Sequence, residues 1–182
     1  MYPEYQSHKS ATPASTPTAG EPCEPTPACI EGPFYRHGAP RGGESLCDYP
    51  TLRISGEILG TGGEMVPGAT LDFWQADHKG NYDNELWKFR RVIEADKDSN
   101  VYHVWTVTPG CYLIAEGEYR CPHVHVKVSA PGYKLLTTQL YFPEGEHNST
   151  DAWFNPALLL TKKSVRVGSE YRFDFVLEKE TP

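Results

Sequence analysis

From Leu52 onward, short runs of alternating apolar and polar residues recur, each closed by glycine, proline, asparagine or aspartate. Successive side chains on a strand point to opposite faces, so this alternation encodes strands with one buried face. Residues 52–59 end in Gly60-Thr61-Gly62-Gly63, and residues 69–76 end in Asp77-His78-Lys79-Gly80-Asn81. Residues 101–107 follow a turn at 96–100 and stop at Pro109-Gly110, while 123–128 and 135–142 flank Pro131-Gly132. Residues 165–167 and 171–177 close the series with Val-x-Val and Phe-x-Phe. Several strands at this spacing predict an all-β fold, a β-sandwich of two sheets with long connecting loops and little helix. The chain shows no sustained helical periodicity and no internal repeat; one short helical turn is expected at 85–91.

The length of 182 residues suits one domain with a real core. Glycine and proline number 16 each and aromatics make up 12%, a mix that favours turns and strands over helical bundles. A formal charge of -7 disfavours nucleic acid or an anionic membrane surface as partner. No apolar run approaches the roughly 20 residues of a membrane helix. Residues 1–28 are rich in Ser, Thr, Pro, Ala and Glu, which reads as a disordered leader before a domain at 29–182. Five cysteines, Cys23, Cys29, Cys47, Cys111 and Cys121, with no CxxC, leave disulfides and compartment open, cytoplasmic or secreted. Cys111 and Cys121 could pair across one loop in an oxidising compartment or stay as two buried thiols. Asn148-Ser149-Thr150 fits the glycosylation sequon, a triplet that is common by chance. Asp96-Lys97-Asp98-Ser99-Asn100 lacks the glycine and distal glutamate of a calcium loop and reads as a turn.

His123-Val124-His125 places two imidazoles on one strand face, where both can reach one ion. Two ligands alone do not define a site, and paired core or surface histidines are an equally good reading of the dipeptide. Cys121, two residues earlier, makes a sulfur-containing zinc site the sharpest competing metal reading. Against it, Pro122 interrupts the strand between them and no second ligand pair follows at zinc-like spacing.

The surrounding segments narrow the choice. Asp72-Phe73-Trp74-Gln75-Ala76-Asp77-x-x-Gly80-x-Tyr82 runs from a strand through a turn to a tyrosine, and Pro109-Gly110-Cys111-Tyr112 ends another strand with a second. Arg120-Cys121-Pro122-His123-Val124-His125 and Thr138-Gln139-Leu140-Tyr141-Phe142-Pro143 follow, with Glu31-Gly32-Pro33-Phe34-Tyr35 near the start. In this order the segments resemble the intradiol ring-cleavage dioxygenases, the family of protocatechuate 3,4-dioxygenase and catechol 1,2-dioxygenase. The resemblance runs from about residue 29 to residue 178, the whole of the chain expected to be ordered.

Carried over position by position, it implies one Fe(III) per chain held by Tyr82, Tyr112, His123 and His125. It further implies that Tyr112 leaves the metal as substrate arrives and acts as a base. Arg120 would face the bound ring, and Gln139 would sit beside substrate and oxygen. The expected reaction is cleavage of a catechol-type ring (catechol, protocatechuate, hydroxyquinol or a substituted catechol) between its hydroxyl-bearing carbons, using dioxygen, to a muconate-type diacid. Tyr119 is the rival for the second tyrosine but lacks the Pro-Gly context. The stretch from Tyr112 to His123 is shorter than in the protocatechuate enzymes and lacks their Pro-Trp. The long helical dimerisation segment of catechol 1,2-dioxygenases is absent, so a monomer or small homo-oligomer is expected. Asp77, His78 and His103 read as solvated turn and strand positions. A β-sandwich binding module without catalysis, and a zinc hydrolase built on His123, His125 and Cys121, stand as the alternatives.

Overall fold

The computed structural model describes residues 22–165 and 168–181. Among them the chain forms eleven strands and a single short 3-10 turn, Pro156–Leu158. The first sheet is built around β1 (Leu52–Gly60), which pairs antiparallel with β4 (Val101–Thr106) on one side. On its other side β1 pairs in parallel with β10 (Ser169–Arg172) and then β11 (Phe175–Leu177), and β9 (Thr161–Lys163) extends β10. The second sheet is wholly antiparallel, in the order β3 (Arg90–Glu94), β2 (Thr70–Gln75), β7 (His123–Ser129), β8 (Leu136–Tyr141). A separate hairpin, β5 (Tyr112–Ala115) with β6 (Glu118–Arg120), lies between β4 and β7 in the chain.

One core fills the space between the two sheets. Ile54 and Ile58 from β1 and Tyr102 and Val104 from β4 meet Leu71, Phe73, Val124, Val126 and Leu140 from the second sheet. The buried valines of β7 alternate with His123 and His125, so the histidines point to the opposite face of that sheet. That face is also buried, because loops cover it; His123 and His125 are each only 2% exposed. Gln75 links the layers, accepting a hydrogen bond from the Thr106 hydroxyl at 2.8 Å and donating to the Val107 carbonyl at 3.1 Å.

Two expectations change in the structure. Residues 85–91 form no helix: the Asp83 carboxylate accepts the backbone N–H groups of Glu85, Leu86 and Lys88, which holds the segment as a loop. Arg90 then opens β3, a strand the alternation rule missed. The run at 171–177 is divided, because the Phe173 carbonyl packs against the backbone of Gly56, where an added Cβ would lie 1.7 Å from it. The strand expected at 165–167 falls mainly outside the described residues. Residues 1–21 of the expected leader also lie outside them, whereas residues 22–28 run along the body. There Cys23 N–H donates to Thr61, Thr26 N–H to Val176, and the Thr138 hydroxyl to the Pro27 carbonyl. The Asp96 segment is the expected turn, its carboxylate accepting from the N–H groups of Asp98 and Ser99.

Candidate metal centre

The outer face of the second sheet supplies a rigid row. Trp74 of β2, His125 of β7 and Gln139 of β8 are register partners, and His123 is opposite Tyr141. Trp74 stacks on His125 with ring centroids 4.7 Å apart and planes 8° from parallel. The Gly32 backbone crosses the edge of the same ring, 3.6 Å from where its Cβ would be, with φ at +75°, a conformation that glycine adopts freely. His123 Nδ1 donates to the Cys121 carbonyl at 2.6 Å, which leaves Nε2 as the lone-pair nitrogen. The two Nε2 atoms face each other at 3.1 Å. Burial pushes His123 down to about 3, with the Arg120 charge adding to the effect, and burial holds His125 well below its ordinary value as well. Both rings are therefore neutral and able to ligate.

A loop and the β5–β6 hairpin bring the oxygen donors over this row. The Tyr82 hydroxyl lies 3.4 Å from His123 Nε2 and hydrogen-bonds the Tyr112 hydroxyl. Phe34 stacks on Tyr82 at 4.2 Å and meets Tyr112 edge-on at 6.1 Å. Tyr35 donates to Asp72 at 2.9 Å and packs on Trp74, so the Glu31-Gly32-Pro33-Phe34-Tyr35 segment clamps both sides of the cluster. Burial raises the hydroxyls of Tyr82 and Tyr112 above the ordinary range, partly offset at Tyr112 by the Arg120 charge. A cation placed among these donors would reverse that effect, because it favours the phenolate. The structure thus brings Tyr82, Tyr112, His123 and His125 together, as two imidazole nitrogens and two phenol oxygens around one point.

Arg120 and Gln139 sit beside them. Arg120 Nη2 donates to Gln139 Oε1 at 2.5 Å, and Gln139 Nε2 donates to the Ile30 carbonyl at 3.0 Å. Arg120 also hydrogen-bonds the Tyr112 hydroxyl. Its Nε donates to Asp151 Oδ2 at 2.9 Å, an ion pair whose side chains are 5% and 0% exposed.

The family model described as Dioxygenase matches residues 30–179. The chain belongs to the intradiol ring-cleavage dioxygenase family. A chlorocatechol 1,2-dioxygenase of Cupriavidus pinatubonensis is 34% identical over 149 residues, covering 69% of this chain and 58% of its own length. A 6-chlorohydroxyquinol 1,2-dioxygenase of the same organism is 32% identical over 179 residues, covering 85% of this chain and 64% of its own length. The chain therefore spans less than two thirds of either relative. Among solved structures, the dioxygenase domain of a dioxygenase–carbohydrate-binding protein fusion from Streptomyces sp. SirexAA-E superposes with a TM-score of 0.77. That domain is 39% identical, and the match covers 86% of this chain and 100% of the domain.

Within this family fold, several supporting residues escaped the sequence reading. Asp151 grips Arg120 and also accepts the Cys121 and Trp153 N–H groups, so one carboxylate ties the loop at 147–153 to the end of β6. Arg90 is 1% exposed and forms no ion pair among the described residues; it donates to the carbonyls of Phe34 and Asp83 and so locks the segments on both sides of Tyr82. Trp153 lies under the Arg120 guanidinium at 5.1 Å. A buried aspartate directly after a chance-like sequon carries no local signature, and Arg90 was hidden by the helical reading of 85–91.

Tyr119 does not join the dioxygenase cluster; it is exposed and stacks on His147. Cys121 does not complete a zinc set with the two histidines. Its side chain is fully buried in a cluster with Tyr141 and Leu158, and burial and Asp151 push its thiol far up. Cys111 and Cys121 are both free thiols in the structure. Asn148 uses its side-chain N–H to hold the Phe142 carbonyl at 2.8 Å, a bond that a glycan on that nitrogen would disturb.

Proposed function

We propose that this chain binds one ferric ion through Tyr82, Tyr112, His123 and His125 and cleaves catechol-type rings between their hydroxyl-bearing carbons with dioxygen. The observation that carries the reading is the convergence of two neutral imidazoles and two phenols beside the Arg120–Gln139 pair. Two hard phenolate donors would offset two of the three charges of a ferric ion, and imidazole suits iron equally well. When bound by these four residues, a ferric ion would supply Lewis-acid activation of a catechol toward dioxygen.

Everything else falls to the chain's own groups. Tyr112 starts the isolated hairpin, whereas Tyr82 is pinned beneath Phe34, so Tyr112 is the tyrosine free to swing away and take a substrate proton. Arg120, already hydrogen-bonded to that hydroxyl, lowers the cost of its phenolate and faces the negative charge that develops on the ring. Gln139 fixes the guanidinium through its Oε1 and cannot turn, because its Nε2 is held by Ile30. Both oxygen atoms of dioxygen end in the two carboxylates of a muconate-type product.

A cavity of about 570 Å³ opens beside Gln139, lined by Ile30, Trp153, Phe154 and Pro156 among others, none of them basic. The lining of that cavity includes Gln139 but none of Tyr82, Tyr112, His123, His125 and Arg120. The similar proteins are named for catechol, chlorocatechol and 6-chlorohydroxyquinol, which supports catechol, chlorocatechols and hydroxyquinol as the favoured substrates and protocatechuate as the disfavoured one. Two measurements test the reading together: metal analysis of the purified protein with its visible spectrum, and oxygen uptake across this substrate panel. About one iron per chain, a phenolate-to-iron band and uptake with catechol are expected. Stoichiometric zinc with no visible band would overturn it, and fast turnover of protocatechuate alone would overturn the substrate assignment.

A further inference from the structure

Away from the four donors just described, a second group of metal-ligating side chains is assembled on the other side of the β5–β6 hairpin. Cys111, Glu146 and His147 offer a thiol sulfur, a carboxylate oxygen and an imidazole nitrogen that all lie within 4.8 Å of one another. Among the described residues this is the group of three or more Cys, His, Asp or Glu side chains so placed. The Cys111 sulfur already approaches Glu146, 3.8 Å from its carbonyl and 3.9 Å from its carboxylate. The His147 ring is held by a face-to-face stack on Tyr119, with centroids 4.6 Å apart and planes 6° from parallel. His147 takes a left-handed backbone conformation, φ 66°, which is uncommon for a residue with a side chain. A cavity of about 530 Å³ reaches Cys111 and Glu146 from solvent, so an ion and its water have a route in.

We infer that Cys111, Glu146 and His147 form a second metal site, for a zinc-class divalent cation, which staples the β5–β6 hairpin to the loop at 143–151. One sulfur, one nitrogen and one oxygen donor with a fourth position open to water is a set that zinc accepts, and it is too soft for calcium or magnesium. The donors come from two chain segments that no backbone-to-backbone hydrogen bond joins among the described residues. Cys111 leads directly into Tyr112. The His147 carbonyl accepts the N–H of Asp151 at 2.9 Å, and Asp151 grips Arg120. A two-stranded hairpin is marginal by itself, and this one carries both Tyr112 and Arg120. A cation at its back would fix the spacing between the hairpin and the loop that orients Arg120. The inference rests on the reading of Tyr82, Tyr112, His123 and His125 as the iron ligands only in calling this site the second one.

The test is zinc titration of the full chain in its iron-loaded form, followed by calorimetry and metal analysis. One zinc per chain should bind without displacing iron and should protect Cys111 from alkylation. Cobalt in place of zinc should give a thiolate-to-metal charge-transfer band in the near ultraviolet. Cys111→Ser, Glu146→Gln and His147→Ala should each weaken zinc binding by at least about 10-fold. The same titration on the His123→Ala/His125→Ala double variant separates the two sites: zinc uptake there should be unchanged, whatever becomes of the iron. Absence of zinc uptake by both proteins would overturn the inference. So would uptake that survives Cys111→Ser and Glu146→Gln, or uptake that disappears with the two histidines.

Discussion

The site joins two regions of unlike mechanical character. His123, His125, Trp74 and Gln139 stand on neighbouring strands of one sheet, whose other face is the main core. Tyr82, Tyr112 and Arg120 arrive on a loop and on a two-stranded hairpin, held by individual contacts to Phe34, Arg90 and Asp151. The sheet fixes its side chains through register and cannot move one without moving all. The loop side is fixed bond by bond, so each member can be loosened singly. On the proposed function the difference becomes a division of labour: the sheet would keep the metal, and the hairpin would supply groups that change partner when substrate binds.

The comparison is broken most severely at the histidines. His123→Ala or His125→Ala should remove iron altogether, since each deletes one of the two donors on the rigid side and one of four in all; retention of full iron and colour in either variant would refute the sheet's role. Tyr112→Phe should keep the metal in weakened form with a shifted visible band. Its turnover should fall by roughly 10²–10⁴-fold, the range typical of losing a general base. Stopped-flow mixing with catechol checks this, and an unimpaired rate would return the base to another residue.

Asp151→Asn is the next step down. It leaves a buried guanidinium half-paired, and breaking such a pair costs about 3–5 kcal/mol of stability. Iron content should be unaffected, while kcat should drop more than KM rises; loss of iron would show that Asp151 serves the sheet side instead. The same carboxylate sets a pH dependence. Burial favours its neutral form, but the N–H groups of Trp153 and Cys121 together with Arg120 outweigh that and hold it below the ordinary carboxylate range. A carboxylate depressed on folding contributes stability that is present above its unfolded pKa and is lost as pH falls through the folded value. Thermal midpoints of the wild type and Asp151→Asn should therefore differ most near neutrality and converge in acid. A gap that stays constant across that range would contradict the ionised pair. Smallest of all, Tyr119→Phe keeps the ring that stacks on His147 and should leave colour and rate nearly intact. Bleaching by that substitution would reassign the second tyrosine.

Much of the sheet side could be read from the chain alone. The alternation in β1, β2, β4, β7 and β8 follows from burying one face, and the i, i+2 spacing of His123 and His125 put both rings on a common side before any tertiary contact was known. The loop side was legible only through motif resemblance, since Tyr82 and Tyr112 have no periodicity to betray them. Strands β5 and β6 were missed because Leu113, Ile114 and Tyr119 are exposed, so the hairpin has no buried face to write a pattern.

The sequence by itself determined an all-β chain, the turns that punctuate it and the two-residue spacing that aims His123 and His125 the same way. Those properties are local, set by side-chain alternation and by the backbone preferences of glycine, proline and aspartate. Only the tertiary structure decided that Asp151 would hold Arg120 from 31 positions away, that Arg90 would lock the Tyr82 loop, and that Cys121 would turn into a buried cluster while Cys111 met Glu146 and His147. Contacts of that kind depend on which distant segments the sheet brings within a few ångströms, and no local pattern of residues encodes that distance.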